Sequence, residues 1–326
     1  MPNLSVKLER WPIRGAFTIS RGAKTEALVL VAQLDEAGFS GRGECVPYAR
    51  YNESADSVVA AIEAMREPLL HGLDRAGLQQ AMPPGAARNA IDCAFWDLEA
   101  KRSRHGGHTL AQIPALQPVT TAYTISLGTP SAMAEASKQA SDRAVLKIKL
   151  GGAGDPERIA AVRRAAPDSA LIVDANEAWS SDNVAENLAA CVRAGVKLIE
   201  QPLPAGHDEA LAALARTIPI CADESVHDRA SLAGLIGKYD AVNIKLDKTG
   251  GLTEALVMAD DAERLGLDLM VGCMVATSLA MAPAMLLARQ ARFVDLDGPL
   301  LLARDRPDGL LYTGSQVHPA SLALWG

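Results

Sequence analysis

The chain has 326 residues, of which 49% are hydrophobic, 4% aromatic and 22% charged, with a formal net charge of −7. That length suits a barrel plus a smaller domain, and that composition excludes a disordered chain. The negative balance excludes the basic footprint of a nucleic-acid binder and argues against an anionic membrane surface.

Five cysteines, Cys45, Cys93, Cys191, Cys221 and Cys273, are widely spaced and form no C-x-x-C pair. A disulfide framework or zinc site is therefore not expected, and reduced thiols in a cytoplasmic protein are the simple reading. The N-terminus, MPNLSVKLERWPIRG, carries charges where a signal peptide needs an apolar run. No apolar run reaches transmembrane length.

The first part of the chain reads as an α+β unit. Ala27 to Leu34 (ALVLVAQL) is strand-like, and Gly38-Phe39-Ser40-Gly41 supplies a turn before Arg42-Gly43-Glu44-Cys45. From Ser54 the pattern turns helical, with Val58, Ile62 and Met65 on one face. Pro83-Pro84-Gly85 opens a second helix whose apolar face is Ala87, Ile91, Ala94, Phe95 and Leu98. Gly106 to Pro118 reads as a linker.

Eight short apolar segments then alternate with amphipathic ones. They are TTAYTIS (120–126), VLKIKL (145–150), ALIVDAN (170–176), KLIEQP (197–202), PICADES (219–225), AVNIKL (241–246), LMVGCM (269–274) and RFVDLDG (292–298). Their polar end residues, from Thr124 through Gly272 to Asp295, recur every 22–27 residues, one strand and one helix per step. Apolar strands of this regularity predict a closed parallel barrel. The alternative, an open doubly wound sheet, lacks a glycine-rich phosphate loop after its first strand.

The ends of barrel strands converge on one mouth. They would carry Lys147 and Lys149, then Asp174, Glu200 and Asp223, then Lys245, and finally Asp295 and Asp297. Taken singly, a strand-end Asp is most often a helix N-cap. Three carboxylates on adjacent strands repel one another unless a cation neutralises them, and an all-oxygen set suits Mg²⁺. Asn176 and Glu224, beside these residues, read either as supports or as loop residues. Lys147 and Lys149 alternate, so both face the same way, into the mouth or outward. With Lys245 four strands further round, two lysines flank the carboxylates. A metal stabilises an enediolate, and nearby cations, Mg²⁺ and Lys147, push a lysine toward its neutral, basic form. One lysine on each face permits removal of a proton from one side and its return from the other.

K-I-K (147–149), D-A-N (174–176), E-Q-P (200–202), A-D-E-S (222–225) and N-I-K (243–245) together resemble the enolase superfamily, in its muconate-lactonising branch. G-x-G-E-C (41–45) and NAIDCAFWDL (89–98) extend the resemblance into the first domain. It implies residues 1–110 as an α+β cap, 111–300 as a modified TIM barrel, (β/α)₇β, and 301–326 as a segment packing back on the cap. Asp295-Leu296-Asp297-Gly298-Pro299 is similar to the dipeptide epimerases, above all those acting on L-Ala-D/L-Glu. There the D-x-D binds the substrate ammonium. The resemblance implies a 1,1-proton transfer by Lys149 and Lys245, supported by Lys147, with Mg²⁺ on Asp174, Glu200 and Asp223. It also implies substrate contacts at Thr124 and Met274, and a mobile loop at Phe17–Gly22. Arg21 or Lys24 would meet a glutamate side chain. The implied biological role is recycling of cell-wall peptides.

Competitors of the same branch are other dipeptide epimerases and N-acylamino-acid racemase, muconate cycloisomerase and o-succinylbenzoate synthase, the last three of which need no ammonium-binding Asp pair. A Schiff-base lyase using Lys245 would be indifferent to chelators. A non-catalytic peptide binder would keep its affinity without Lys149. The partner expected is a small dipeptide, not a nucleic acid or a membrane. The alanine-rich helix containing Ala160, Ala161, Ala165 and Ala166 suits packing, or assembly into a homo-oligomer.

Overall fold

The structure, a computed structural model, describes residues 1–326. Strands β1 (Asn3–Ile19), β2 (Gly22–Glu36) and β3 (Phe39–Cys45) form an antiparallel sheet in that order. Strand β1 takes in residues 3–16, to which the sequence pattern assigns no element, and Phe17–Ile19 of the expected loop; Leu4 and Val6 alternate with exposed neighbours. The β1–β2 register shifts between Pro12 and Phe17, a bulge that bends the hairpin whose tip is Ser20 and Arg21.

Helices α1 (Ala55–Glu63), α2 (Arg66–Leu70), α3 (Arg75–Ala81) and α4 (Ala86–Ser103) follow. Ser54 and Ser57 form a reciprocal cap at the start of α1. Helix α4 is buried on nearly every side, not on one apolar face alone. Its inner face lies so close to β3 that a side chain at Gly41 or Gly43 would strike the α4 backbone. Its other face meets the barrel: Arg88 donates to the carbonyls of Thr249 (2.7 Å) and Gly250 (3.0 Å). Asp92 accepts from the Thr253 N–H at 2.9 Å. These partners satisfy the polar groups that a sandwiched helix must bury. The segment read as a linker contains one short helix, α5 (Gly107–Leu110).

After β4 (Val119–Thr120) comes the parallel sheet: β5 (Tyr123–Ile125), β6 (Val145–Lys149), β7 (Ala170–Asp174), β8 (Leu198–Glu200), β9 (Ile220–Ala222), β10 (Ala241–Ile244), β11 (Asp268–Val271) and β12 (Phe293–Val294). Neighbours pair in sequence order. A bond from the Ala122 N–H to the Val294 carbonyl (2.8 Å) joins the two ends, so the sheet closes as a barrel. Helices α6 (Pro130–Gln139), α7 (Asp155–Ala165), α8 (Val184–Ala194), α9 (Leu246–Thr249), α10 (Leu252–Arg264), α11 (Ser278–Ala288) and α12 (Gly298–Leu301) occupy the connections. The connections after β8 and β9 hold only 3₁₀ turns, at Glu209–Ala213 and Arg229–Leu235, where a helix was expected. Pro204, Gly206 and Pro219 in the first, and Gly234 and Gly237 in the second, break a regular helix.

Alternation along the strands separates two cores. Leu146, Ile148, Leu171, Val173, Val242 and Ile244 point outward and pack under the helices. Ile172, Leu198, Cys221, Ala241 and Met270 point inward as an apolar plug. Lys147 and Lys149, opposite in parity to Leu146 and Ile148, therefore point into the barrel. The tail adds β13 (Tyr312–Thr313) and β14 (Gln316–Val317), paired with β4. It ends against α4, where the Gly326 N–H donates to Asp97 at 2.7 Å. All five cysteines are free. No helix is long and apolar enough to cross a membrane.

Candidate active site

Above the apolar plug lies a layer of charge. Asp174, Glu200 and Asp223 are 0%, 1% and 2% exposed. Asp174 and Glu200 sit in register on β7 and β8, and Asp223 lies just past β9. Lys147 Nζ is 2.7 Å from Glu200, 2.7 Å from Asp295 and 3.3 Å from Asp174. Lys149 meets Asp174 at 2.6 Å, and Lys245 meets Asp223 at 2.6 Å. Strands β6 and β10 are four places apart in a ring of eight, so Lys149 and Lys245 stand on opposite walls.

The low-dielectric surroundings make these contacts strong. Burial would raise the Asp174 carboxyl, but Lys149, Lys147 and Lys245 hold it at about 2. Burial likewise opposes charge on Asp223, and Lys245 and Lys248 overcome it, keeping Asp223 well below the ordinary range. Glu200 is pushed up, by burial and then by Asp174. Burial disfavours charge on Lys147, yet Asp295, Glu200 and Asp174 hold it firmly protonated. The same balance, through Asp223 and Glu200, keeps Lys245 charged. Lys147 pushes Lys245 the other way, toward neutrality, and a cation neutralising the carboxylates would leave that push less opposed.

The donor set fits a hard cation in chemistry: three buried carboxylates and no sulfur or imidazole. No three acidic, histidine or cysteine side chains converge as a ready-made metal cluster, because each carboxylate faces a lysine. Buried oxygens nonetheless lack a donor at Glu224 Oε2 and Asn176 Oδ1, while Glu200 Oε2 has the Lys147 ammonium alone, at 2.7 Å. That surplus of acceptors is what a bound cation would satisfy.

A cavity of about 540 Å³ separates this layer from the cap. Lys149, Lys245, Thr124, Met274, Asp295 and Asp297 line it from the barrel, and Phe17, Arg21, Lys24, Tyr48 and Tyr51 from the cap. Lys147 lies beneath, off its wall. Asp297 Oδ2 accepts the Thr124 backbone N–H at 2.6 Å. Burial and then the neighbouring Asp295 push Asp297 up to about 7. Asp295 keeps one buried oxygen without a donor.

The cap segment expected as a mobile loop is a hairpin tip fastened to the barrel. Ser20 Oγ and Arg21 Nη1 both donate to the Asn176 carbonyl, at 2.9 and 3.0 Å. Arg21 also pairs with Glu224 (2.7 Å) and Glu177 (3.1 Å) and reaches the Tyr48 hydroxyl at 3.0 Å. Its guanidinium is thus already engaged by two protein carboxylates. Lys24 lies 5.4 Å over the Tyr48 ring without a carboxylate partner. Partial desolvation at the cavity wall, then Arg21, lowers its ammonium, although the residue as a whole stays exposed. Asn176 and Glu224, left open by the sequence, both brace this closure.

Sequence reasoning missed several participants. Asn243 donates to Glu200 at 2.8 Å. Its signal was its place two residues before Lys245, on the same inward face. Lys248 contacts Asp223 Oδ1 at 2.5 Å and the Asn243 carbonyl at 3.0 Å. Glu177 joins Arg21 to Arg50, which it meets at 2.8 Å.

A closed barrel with a cap as lid, two lysines on opposed strands and three carboxylates between them defines a capped-barrel enzyme of proton transfer. The chain belongs to the enolase superfamily: residues 2–110 match the mandelate racemase / muconate lactonizing enzyme N-terminal domain, and residues 132–305 the enolase C-terminal domain-like family. It is 46% identical to an L-Ala-D/L-Glu epimerase of Escherichia coli, over 98% of this chain and 100% of that one. It is also 46% identical to an N-acetyl-D-glutamate racemase of Pseudoalteromonas, over 91% and 95%. Among solved structures, an enolase family member from Agrobacterium tumefaciens, with homology to dipeptide epimerases and bound to sodium and L-Ala-L-Glu, superposes with a TM-score of 0.98. That pair is 54% identical over 100% of both chains. A dipeptide epimerase from Enterococcus faecalis, complexed with Mg and L-Leu-L-Tyr, gives a TM-score of 0.91 at 27% identity over 99% of both. This chain is accordingly an isomerase, a racemase or epimerase of amino-acid derivatives.

Proposed function

We propose that the protein epimerises L-Ala-D-Glu and L-Ala-L-Glu at the α-carbon of the C-terminal residue. The observation that carries this reading is the placement of Lys149 and Lys245 on opposed strands, both on the wall of one cavity, with the three carboxylates between them. Mg²⁺ held by Asp174, Glu200 and Asp223 would supply positive charge beside the substrate carboxylate. Lys149 removes the α-proton from one face and Lys245 returns one to the other, or the reverse. Lys147, buried beneath both, adds a fixed positive charge next to that carboxylate. Asp295 and Asp297 accept the ammonium of the N-terminal residue. Thr124 and Met274 fill the wall between them. Lys24, the cavity cation without a carboxylate partner, meets the glutamate side chain, and Arg21 chiefly holds the roof shut. Phe17, 5.7 Å from the Lys149 ammonium, shields that base from water.

The remaining division follows the same reading: a cap over 1–110, a barrel over 111–300 and a returning tail over 301–326. The substrate class points to a cytoplasmic role in reusing cell-wall peptides.

A second reading, racemisation of N-acylglutamate, is favoured by the Pseudoalteromonas relative and by Lys147, which already neutralises Asp295. Proton NMR in D₂O with Mg²⁺ separates the two. Turnover of L-Ala-L-Glu well above that of N-acetyl-L-glutamate, with loss of the Glu α-proton and appearance of the diastereomer, supports the dipeptide. The opposite ranking transfers the assignment to the N-acyl substrate.

A further inference from the structure

Gln201 follows Glu200 directly and takes no part in the proton transfer above. It is fully buried, and its φ is 33°, in the left-handed region that favours glycine. A non-glycine residue stays in such a conformation only where its surroundings over-determine it.

Here they do. Gln201 Oε1 accepts the backbone N–H groups of Asp223 (2.8 Å) and Ser225 (3.0 Å). The two hydrogens of its Nε2 are shared among three acceptors, the Leu203 carbonyl (2.8 Å), the Ser225 hydroxyl (2.8 Å) and the Tyr239 hydroxyl (2.9 Å). Behind it, Asp208 accepts from Tyr239 at 2.6 Å and from Ser225 at 2.7 Å, and Lys238 meets it at 2.6 Å. The Gln201 backbone adds two bonds, to the Cys221 carbonyl (2.9 Å) and from the Glu177 N–H (3.0 Å).

This arrangement has a consequence for the carboxylates. The β8–β9 ladder ends at Glu200 and Cys221, so Asp223 lies beyond the last strand pair. Its backbone N–H is oriented by the Gln201 side chain instead. One residue thus ties the end of β8, which carries Glu200, to the segment that carries Asp223, and through Glu177 to the turn after Asp174. None of Gln201, Tyr239 and Asp208 lines the cavity, so they act only through their neighbours.

We propose that Gln201, braced by Tyr239 and Asp208, is a positioning residue that fixes Asp223 relative to Glu200 and thereby sets the affinity of the site for a divalent cation. This rests on the reading that those carboxylates hold Mg²⁺.

The test is Mg²⁺ titration by calorimetry on the full-length protein without substrate, with Gln201→Gly and Tyr239→Phe. Glycine relieves the left-handed backbone while deleting the side chain. The expected result is a Mg²⁺ Kd raised about tenfold in Gln201→Gly and about threefold in Tyr239→Phe, the scale of lost buried hydrogen bonds. The Mg²⁺ concentration for half-maximal turnover should rise in step, with the dipeptide KM at saturating Mg²⁺ little changed. A glycine variant that binds Mg²⁺ like the wild type would overturn the inference. Tyr239→Phe serves if Gln201→Gly does not fold: a lowered Tm with unchanged Mg²⁺ affinity means mere structural support and sinks the proposal. A wild type that binds no Mg²⁺ removes the metal reading and this inference with it, whereas normal wild-type binding with unaffected variants removes this inference alone.

Discussion

The barrel delivers its charged side chains to the cavity on strands spaced by a repeat, whereas the cap delivers Arg21 and Lys24 on a single hairpin tip. The barrel residues are locked in place by one another, Asp174, Glu200, Asp223 and Asp295 each against a lysine. The hairpin is held by a few bonds to Asn176, Glu177 and Glu224. The difference assigns two tasks. A rigid layer suits proton transfer, which depends on alignment, and a fastened but separable roof suits admission and choice of substrate.

Substitutions on the two sides should therefore fail differently. The largest effect belongs to the barrel: Glu200→Gln should reduce Mg²⁺ binding and lower kcat at least about a hundredfold, in the range expected for loss of metal-assisted charge stabilisation. Calorimetry with steady-state kinetics checks it, and normal Mg²⁺ affinity would contradict the metal assignment. Asp297→Asn comes next. It should cost L-Ala-L-Glu roughly tenfold to a hundredfold in kcat/KM, the worth of a charge-assisted hydrogen bond, and N-acetylglutamate much less. Equal losses on both substrates would separate Asp297 from ammonium binding.

On the roof, Lys24→Met should raise KM for Ala-Glu about fivefold to tenfold and leave kcat nearly unchanged. The effect should shrink with added salt, because Lys24 is exposed on the hairpin. A loss of kcat without a change in KM would assign Lys24 to the chemistry instead.

The smallest effect concerns the seam between cap and barrel. Asp247 accepts from the Val46 N–H (3.0 Å) and Asn89 (2.8 Å). Burial, and secondarily Glu53 and Glu44, push it up to about 7. A carboxyl raised above its unfolded value of about 4 favours folding most when protonated. Its contribution is complete below about pH 4 and is lost as pH rises through about 7. Asp247→Asn should flatten this decline of Tm between pH 5 and 8. A variant with the wild-type slope would place the titration elsewhere.

The same contrast governs what the sequence made legible. Lys147, Lys149, Asp174, Glu200, Asp223 and Lys245 could be read because the βα repeat puts strand-end residues on one mouth and alternation puts them on one face. Asn243 shared that alternation with Lys245 and was legible in principle. Lys248 was not, because it enters from the helical turn after β10 and no strand parity applies to it. Arg21 and Lys24 lie on a long hairpin whose bulge shifts the register, so sequence distance does not say which one faces the cavity. The buried flank of α4 was hidden for a related reason. Its polar residues Arg88, Asn89 and Asp92 look solvent-facing until the barrel carbonyls and hydroxyls they meet are in place.

The most direct test of the two-base account is α-proton exchange in D₂O, followed separately for L-Ala-L-Glu and L-Ala-D-Glu, in Lys149→Ala and Lys245→Ala with Mg²⁺ present. Both variants should lose epimerisation, by about a thousandfold or more, as expected for removal of a general acid or base. Each should still exchange the α-proton of one epimer, and the two variants should spare opposite epimers. Exchange of both epimers in either variant, or of the same epimer in both, would contradict lysines acting on opposite faces.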